Sequence, residues 1–190
     1  MRYFFGRTWM RLRGATVPRS CMINGFPRFP TRLGRVRLGE RVNLQCRRYC
    51  YPMGASLPTN MFSTKPGATI DVGDDTYIAF SAFHAFKGIS IGRRVMIASG
   101  CRITDNDGHE VDRLPRFGSV SDAAEPVTIE DDVWLAVDVM VCKGVTIGKG
   151  SVIGAKSLVL DDIPPGVLAA GIPARVIRPL RLDERERAAT

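Results

Sequence analysis

The chain has 190 residues, 45% of them hydrophobic and 24% charged, which gives it apolar surface for one core and excludes a wholly disordered polypeptide. No apolar run reaches the roughly 18–20 residues of a membrane span, and the abundance of Gly (19) and Pro (12) favours strands and turns over a helix bundle. Charge is lopsided: residues 1–50 hold twelve Arg, no Lys and a single acid, Glu40, a net of +11 against +8 for the whole chain, so residues 51–190 sum to −3. Guanidinium groups in such density suit anionic partners, phosphates above all.

Residues 1–13 read as a short basic and aromatic segment. Phe5, Trp9 and Leu12 share one helical face, with Arg2, Arg7, Arg11 and Arg13 around it. Two readings stand: a helix packed on its own domain, or a foot on a membrane surface. The segment lacks the long apolar stretch and cleavage site of a secretory signal. Five cysteines (Cys21, Cys46, Cys50, Cys101 and Cys142) form neither a disulfide framework nor a zinc-ligand set, and read as free thiols in a reducing cytosol.

From residue 14 onward the chain repeats with a period of six. Weak echoes begin at Val17, Ile23, Phe29, Leu38 and Leu44. The pattern strengthens at Val72, Ile78, Ile91, Ile97 and Ile103, and then runs unbroken through Ile129, Leu135, Val141, Ile147, Ile153 and Val159. Within that last run the first position is always aliphatic, and the second is small in Ala136, Cys142, Gly148 and Gly154. Neither a helix nor an alternating strand has this period. A chain that turns a corner every six residues does, and three sides close one triangular coil. The Asp-Asp, Arg-Arg, Lys-Gly and Asn-Asp pairs fall at turns, where such residues tolerate unusual backbone angles. Coils stack as strand ladders, so no single repeat is stable alone.

Two stretches leave the pattern, residues 45–67 and 104–126, and binding chemistry sits preferentially on loops held by a rigid scaffold. The second contains Asp105-Asn-Asp107-Gly-His109-Glu110. Imidazole, with an ordinary pKa of about 6.5, accepts a proton from a hydroxyl near neutral pH. Asp105, Asp107, Glu110 or a backbone carbonyl could fix its tautomer, and Asp107 is the favoured one. His84, among Phe80, Phe83 and Phe86, reads as a corner or packed histidine that could also contact an acceptor. No Gly-x-Ser-x-Gly elbow is present.

These residues resemble the hexapeptide-repeat acyltransferases over about residues 14–180. The most specific stretches are Ile103–His109, Asp132-Val-Trp134, Gly144–Gly148, Ile163-Pro-Pro165 and Ala170–Arg178. Within that family the chain is most similar to sugar and polysaccharide O-acetyltransferases. The resemblance implies an all-β, left-handed parallel β-helix, a hand that the periodicity alone leaves open, followed by a tail at 181–190. It implies His109 as general base, with Asp107 beside it. It places Trp134 beside the active cleft, where it could flank the acceptor, and His84 and Asp105 are the further acceptor candidates. It assigns acetyl-CoA to Val137, Ala155 and Arg178, with Lys156 or Arg175 replacing a basic residue that the family has where Asp161 stands. A galactoside-binding Asn of the family is replaced here within Ala79-Phe-Ser-Ala82.

The expected activity is transfer of an acetyl group to a sugar hydroxyl of a surface-polysaccharide precursor, glycolipid or nucleotide sugar, in the cytoplasm or at the inner face of the membrane. A homotrimer and no metal requirement are expected. Alternatives are N-acetylation of an amino-sugar nucleotide, antibiotic O-acetylation, or a non-catalytic scaffold. Related β-helix carbonic anhydrases bind zinc through three histidines, and this chain has two. Nucleic-acid binding would rest on charge alone, without a reader motif.

Overall fold

In the hexapeptide stretch every first-position aliphatic from Ile78 to Val159 is at most 3% exposed, and the reason is a prism with three flat faces. The computed structural model describes residues 4–28, 34–46, 58–114 and 123–181. A helix, α1 (Phe4–Leu12), precedes the coils. The first coil holds one strand, β1 (Met22–Asn24), between bridges at Thr16 and Arg28. Five three-sided coils follow: β2 (Arg35–Leu38), β3 (Asn43–Gln45) and β4 (Asn60–Ser63); β5 (Thr69–Val72), β6 (Tyr77–Ala79) and β7 (Ala82–Ala85); β8 (Gly88–Ile91), β9 (Met96–Ile97) and β10 (Arg102–Thr104); β11 (Val127–Ile129), β12 (Trp134–Leu135) and β13 (Met140–Val141); and β14 (Thr146–Ile147), β15 (Val152–Ile153) and β16 (Leu158–Val159). A partial seventh coil bridges at Ile163, continues as β17 (Val167–Gly171) and folds back as the antiparallel β18 (Ala174–Pro179).

The three faces are parallel sheets in register, the arrangement of a left-handed parallel β-helix. The first face stacks β2, β5, β8, β11 and β14. The second stacks β1, β3, β6, β9, β12, β15 and β17, with β18 outermost. The third stacks β4, β7, β10, β13 and β16. Each coil donates its inward side chains to one continuous column. On the second face the column is Ile23, Leu44, Ile78, Ile97, Leu135, Ile153 and Ala169, all fully buried. On the third face Met61 and Phe83 head a column of Ile103, Val141 and Val159. The weak early echoes are real: Val17, Ile23, Leu38 and Leu44 are buried, while Phe29 lies outside the described residues.

The expected excursion at 45–67 is shorter at its far end. Asn60–Ser63 forms β4, with Met61 in the aliphatic position. The second excursion lies between β10, ending at Thr104, and β11, starting at Val127. The four described cysteines are unbridged, and burial pushes the Cys46 and Cys101 thiols up to about 12.

Helix α1 packs on its own domain. It lies on β1, with Met10 fully buried. Its inner face is Gly6 and Met10 rather than the expected Phe5–Trp9–Leu12 stripe, because a Cβ at Gly6 would lie 2.5 Å from the Gly25 carbonyl oxygen. Phe5 and Leu12 are exposed, and Trp9 is half-buried.

The basic N-terminal stretch divides its charges. Arg37 pairs with Asp71, and Arg41 with Asp75 at 2.5 Å, one coil along. Arg7 donates to the carbonyls of Arg19 and Cys21, and Arg11 to that of Val17.

Candidate active site

The excursion that carries His109 begins and ends at the edge between the third and first faces. Asp105 forms its foot. Its fully buried carboxylate accepts backbone N–H bonds from Phe86 (2.8 Å), Lys87 (2.7 Å) and Gly88 (2.7 Å) in the preceding coil, and one from the Asn106 amide at 3.0 Å. The Glu125 N–H donates to the Asp105 carbonyl at 2.9 Å, closing the stem, and the Gly144 N–H donates to the Glu125 carbonyl in the following coil. Asp105 is therefore a structural anchor. Expected at the acceptor, it has neither carboxylate oxygen turned outward in the single chain.

Asp107 is exposed, and its Oδ2 accepts a 2.5 Å ion-paired hydrogen bond from Lys143. That bond holds the Lys143 ammonium above its ordinary range, with Glu125 adding to it. Asp107, the carboxylate expected to orient His109, thus holds Lys143. His109 itself is exposed on the loop. Asp107, Glu110, Val111, Asp112, Arg113, Ala123 and Lys143 line a hollow of about 460 Å3 at the loop's base.

His84 lies within β7, three residues beyond the Phe80–Ser81 corner rather than at a corner. It is half-buried on the outer side of the third face, in register with Phe62 and Thr104. Its Nε2 is 3.3 Å from Thr64 Oγ1, and its ring meets Phe86 edge-on at 4.9 Å. Burial lowers its pKa from 6.5, with the Asp105 charge pulling the other way. Around it runs a largely apolar cleft of about 450 Å3, lined by Phe62, Thr64, Ala82, Arg102, Thr104 and Met140 among others.

Val137, Ala155 and Lys156 come together on the opposite edge of that face. Val137 follows β12 and Ala155-Lys156 follows β15, at equivalent corners of adjacent coils. The Lys156 N–H donates to the Val137 carbonyl at 2.8 Å, and Lys156 adopts φ 61°. Arg175 departs from expectation. Its guanidinium bonds Asp161 Oδ2 at 2.7 Å, the acid standing where the family has the basic residue that Arg175 was expected to replace. Arg178, exposed on β18, donates to the Pro179 carbonyl. Trp134 is 46% exposed but stands on the second face, between Met96 and Val152. Within one chain that face lies opposite the edge from which the His109 loop departs.

The third face is therefore flanked by both interruptions. Between β3 and β4 the chain leaves its second-face edge, and between β10 and β11 its first-face edge. Among the described residues no group of three or more His, Cys, Asp or Glu could hold a metal ion. Sequence reasoning missed Lys143 and Thr64. Lys143 was hidden as one of a corner pair, and Thr64 fell in a stretch read as loop.

The family model described as bacterial transferase hexapeptide (six repeats) matches residues 126–161. The galactoside O-acetyltransferase of Escherichia coli K12 is 40% identical over 123 residues, covering 64% of this chain and 58% of that protein. This chain thus spans less than two thirds of that relative's length. A Saccharomyces cerevisiae protein with the provisional name acetyltransferase YJL218W is 37% identical over 139 residues, covering 70% and 69%. The solved structure of AntD, an N-acyltransferase from Bacillus cereus, superposes with a TM-score of 0.72 over 100% of this chain and 94% of its own, at 15% identity, a likeness of fold alone. With its hexapeptide coils, its interrupting loop and these relatives, the chain belongs to the hexapeptide-repeat acetyltransferase family.

Proposed function

We propose that the protein transfers an acetyl group from acetyl-CoA to a sugar hydroxyl, on a surface-polysaccharide precursor, glycolipid or nucleotide sugar. One observation carries the reading: an apolar cleft on the third face lies between the corner column of Val137, Ala155 and Lys156 on one edge and the stem of the His109 loop on the other. The pantetheine arm of the donor runs along the corner column, against backbone groups, and Arg178 meets a phosphate. The sugar occupies the cleft beside His84, where Phe62 offers an apolar wall.

His109 accepts the hydroxyl proton as the oxygen attacks the thioester carbonyl carbon. Backbone N–H groups stabilise the resulting oxyanion. Collapse of the intermediate breaks the C–S bond, and the CoA thiolate leaves with the proton held by the imidazolium. No covalent acyl-enzyme is needed.

His109 is exposed in the single chain, and a second wall for the cleft comes from a neighbouring copy in a homotrimer. In that assembly Trp134 reaches the cleft of a neighbour, since it stands on the wrong face for its own.

Calorimetry with acetyl-CoA and steady-state transfer to a panel of glycosides test this reading on the wild type and on His109→Ala. The variant is expected to bind acetyl-CoA unchanged while turnover falls roughly 10²–10⁴-fold. Retained turnover removes His109 from the mechanism, and absence of acetyl-CoA binding in the wild type removes the donor.

A further inference from the structure

The N-terminal end of the prism presents a surface that the transferase chemistry does not use. Helix α1 covers this end and leaves large apolar side chains standing outward. Leu12 is 80% exposed, Phe5 58%, and Phe26, on the corner of the first coil, 57%. Trp9 joins them: its ring meets Phe26 edge-on at 5.9 Å, its indole N–H donates to the Pro27 carbonyl, and the Arg13 guanidinium lies 3.9 Å over its face. Phe5, Trp9 and Leu12 are spaced four and three residues apart, so they form one ridge along the helix.

Around this ridge, the charged residues of α1 and the first coil are Arg7, Arg11, Arg13, Arg19 and Arg28, all cationic, with Glu40 of the second coil reaching the first at Ser20. Within α1 and the first coil, Arg7 and Arg11 bond backbone carbonyls rather than carboxylates. Arg19 and Arg28 are exposed.

We propose that this end of the prism docks on an anionic lipid bilayer. The ridge enters the boundary between headgroups and acyl chains, and the guanidinium groups around it meet lipid phosphates. An indole with an apolar body and a polar edge suits that depth. Two other occupants fit less well. A second copy of the same end would set one mainly cationic surface against another. A nucleic acid would satisfy the arginines and leave Leu12 and Phe5 in water.

The test is sedimentation of the full chain with vesicles of phosphatidylcholine containing about 30% phosphatidylserine, beside pure phosphatidylcholine vesicles and a DNA oligonucleotide. The wild type is expected to partition onto the anionic vesicles only, and less so as salt is raised. Leu12→Ser and Phe5→Ser should each weaken that partition roughly tenfold, and Arg28→Glu about thirtyfold, since reversal alters two charges. All three side chains are exposed, so circular dichroism and acetyl-CoA binding should be unchanged, which separates this outcome from failure of the transferase reading. Equal binding to neutral vesicles, or none to anionic ones, overturns the proposal. Loss with Arg28→Glu but not with Leu12→Ser, accompanied by oligonucleotide binding, replaces it with polyanion binding. Concentration-dependent dimerisation abolished by Leu12→Ser replaces it with self-association.

Discussion

The edge joining the first and second faces and the edge joining the third and first faces belong to one prism but are built by different rules. At the former, four residues separate the strands at all five crossings from β2–β3 to β14–β15. The coils there approach so closely that a Cβ on Gly73 would meet the Gly92 carbonyl at 2.6 Å, and one on Gly92 the Asp131 nitrogen at 2.6 Å. The residues closing these turns, Arg41, Asp75, Arg94 and Asp132, all take left-handed φ values between 55° and 63°. Their charges alternate from coil to coil, with Arg41 paired to Asp75 and Arg94 to Asp132. At the other edge, the crossing from β10 to β11 takes twenty-two residues, 105–126, and its neighbours are tied to it by Asp105 and Lys143. A close-packed edge has no room for an insertion. An edge whose turns are pinned by side chains can carry one.

The contrast is sharpest at Asp105. Asp105→Ala strands three backbone N–H groups, and a loss of about 3 kcal/mol or more in urea unfolding is expected, with activity falling further than stability accounts for. Activity that tracks stability alone would show that the stem does not position His109. On the close-packed edge, Gly92→Ala should cost about 1–3 kcal/mol through overpacking, with kcat unchanged in the folded fraction. A substitution tolerated without loss would mean that the coils can separate there.

A smaller effect concerns pH. Burial holds the His84 imidazole below its ordinary value of 6.5, so the unfolded chain binds that proton more readily than the folded one. The stability involved is complete above roughly pH 6.5 and is lost as pH falls through the lower folded value. His84→Asn should flatten the decline of Tm between about pH 7.5 and pH 5, and an identical slope would assign the decline to other groups. The smallest change is expected from Arg94→Met. This exposed pair is screened by solvent, and Tm should stay within about 2 °C. A larger fall would make the charge ladder a cooperative network.

Much of this fold was legible in the sequence, because each inward hexapeptide position is read by one core column. The hand was not, since a period of six is the same for either. β4 escaped because Asn60 and Phe62 flank a methionine where the pattern puts an aliphatic residue. The inner face of α1 escaped because close approach selects the small Gly6, which carries no hydrophobic signal. The ladder of opposite charges was present in the sequence, but excursions spread its members unevenly. At the candidate site, the loop and its histidine were legible from the motif. The division of labour among the carboxylates was not: Asp105 and Asp107 lie two residues apart, one fully buried under three N–H donors and the other on Lys143.

In-register stacking also makes the prism a ruler. Parallel strands repeat at about 4.8 Å, so the three steps from the coil of β1 to that of β10 set the root of the His109 loop roughly 14 Å from the first coil. Whatever rests against the α1 end is held at that fixed height from the cleft. Adding or deleting a whole coil would change the height in steps of about 4.8 Å, leaving every corner and column chemically as it was. Reach is thus an independent variable of this architecture, adjustable by counting coils rather than by redesigning the site.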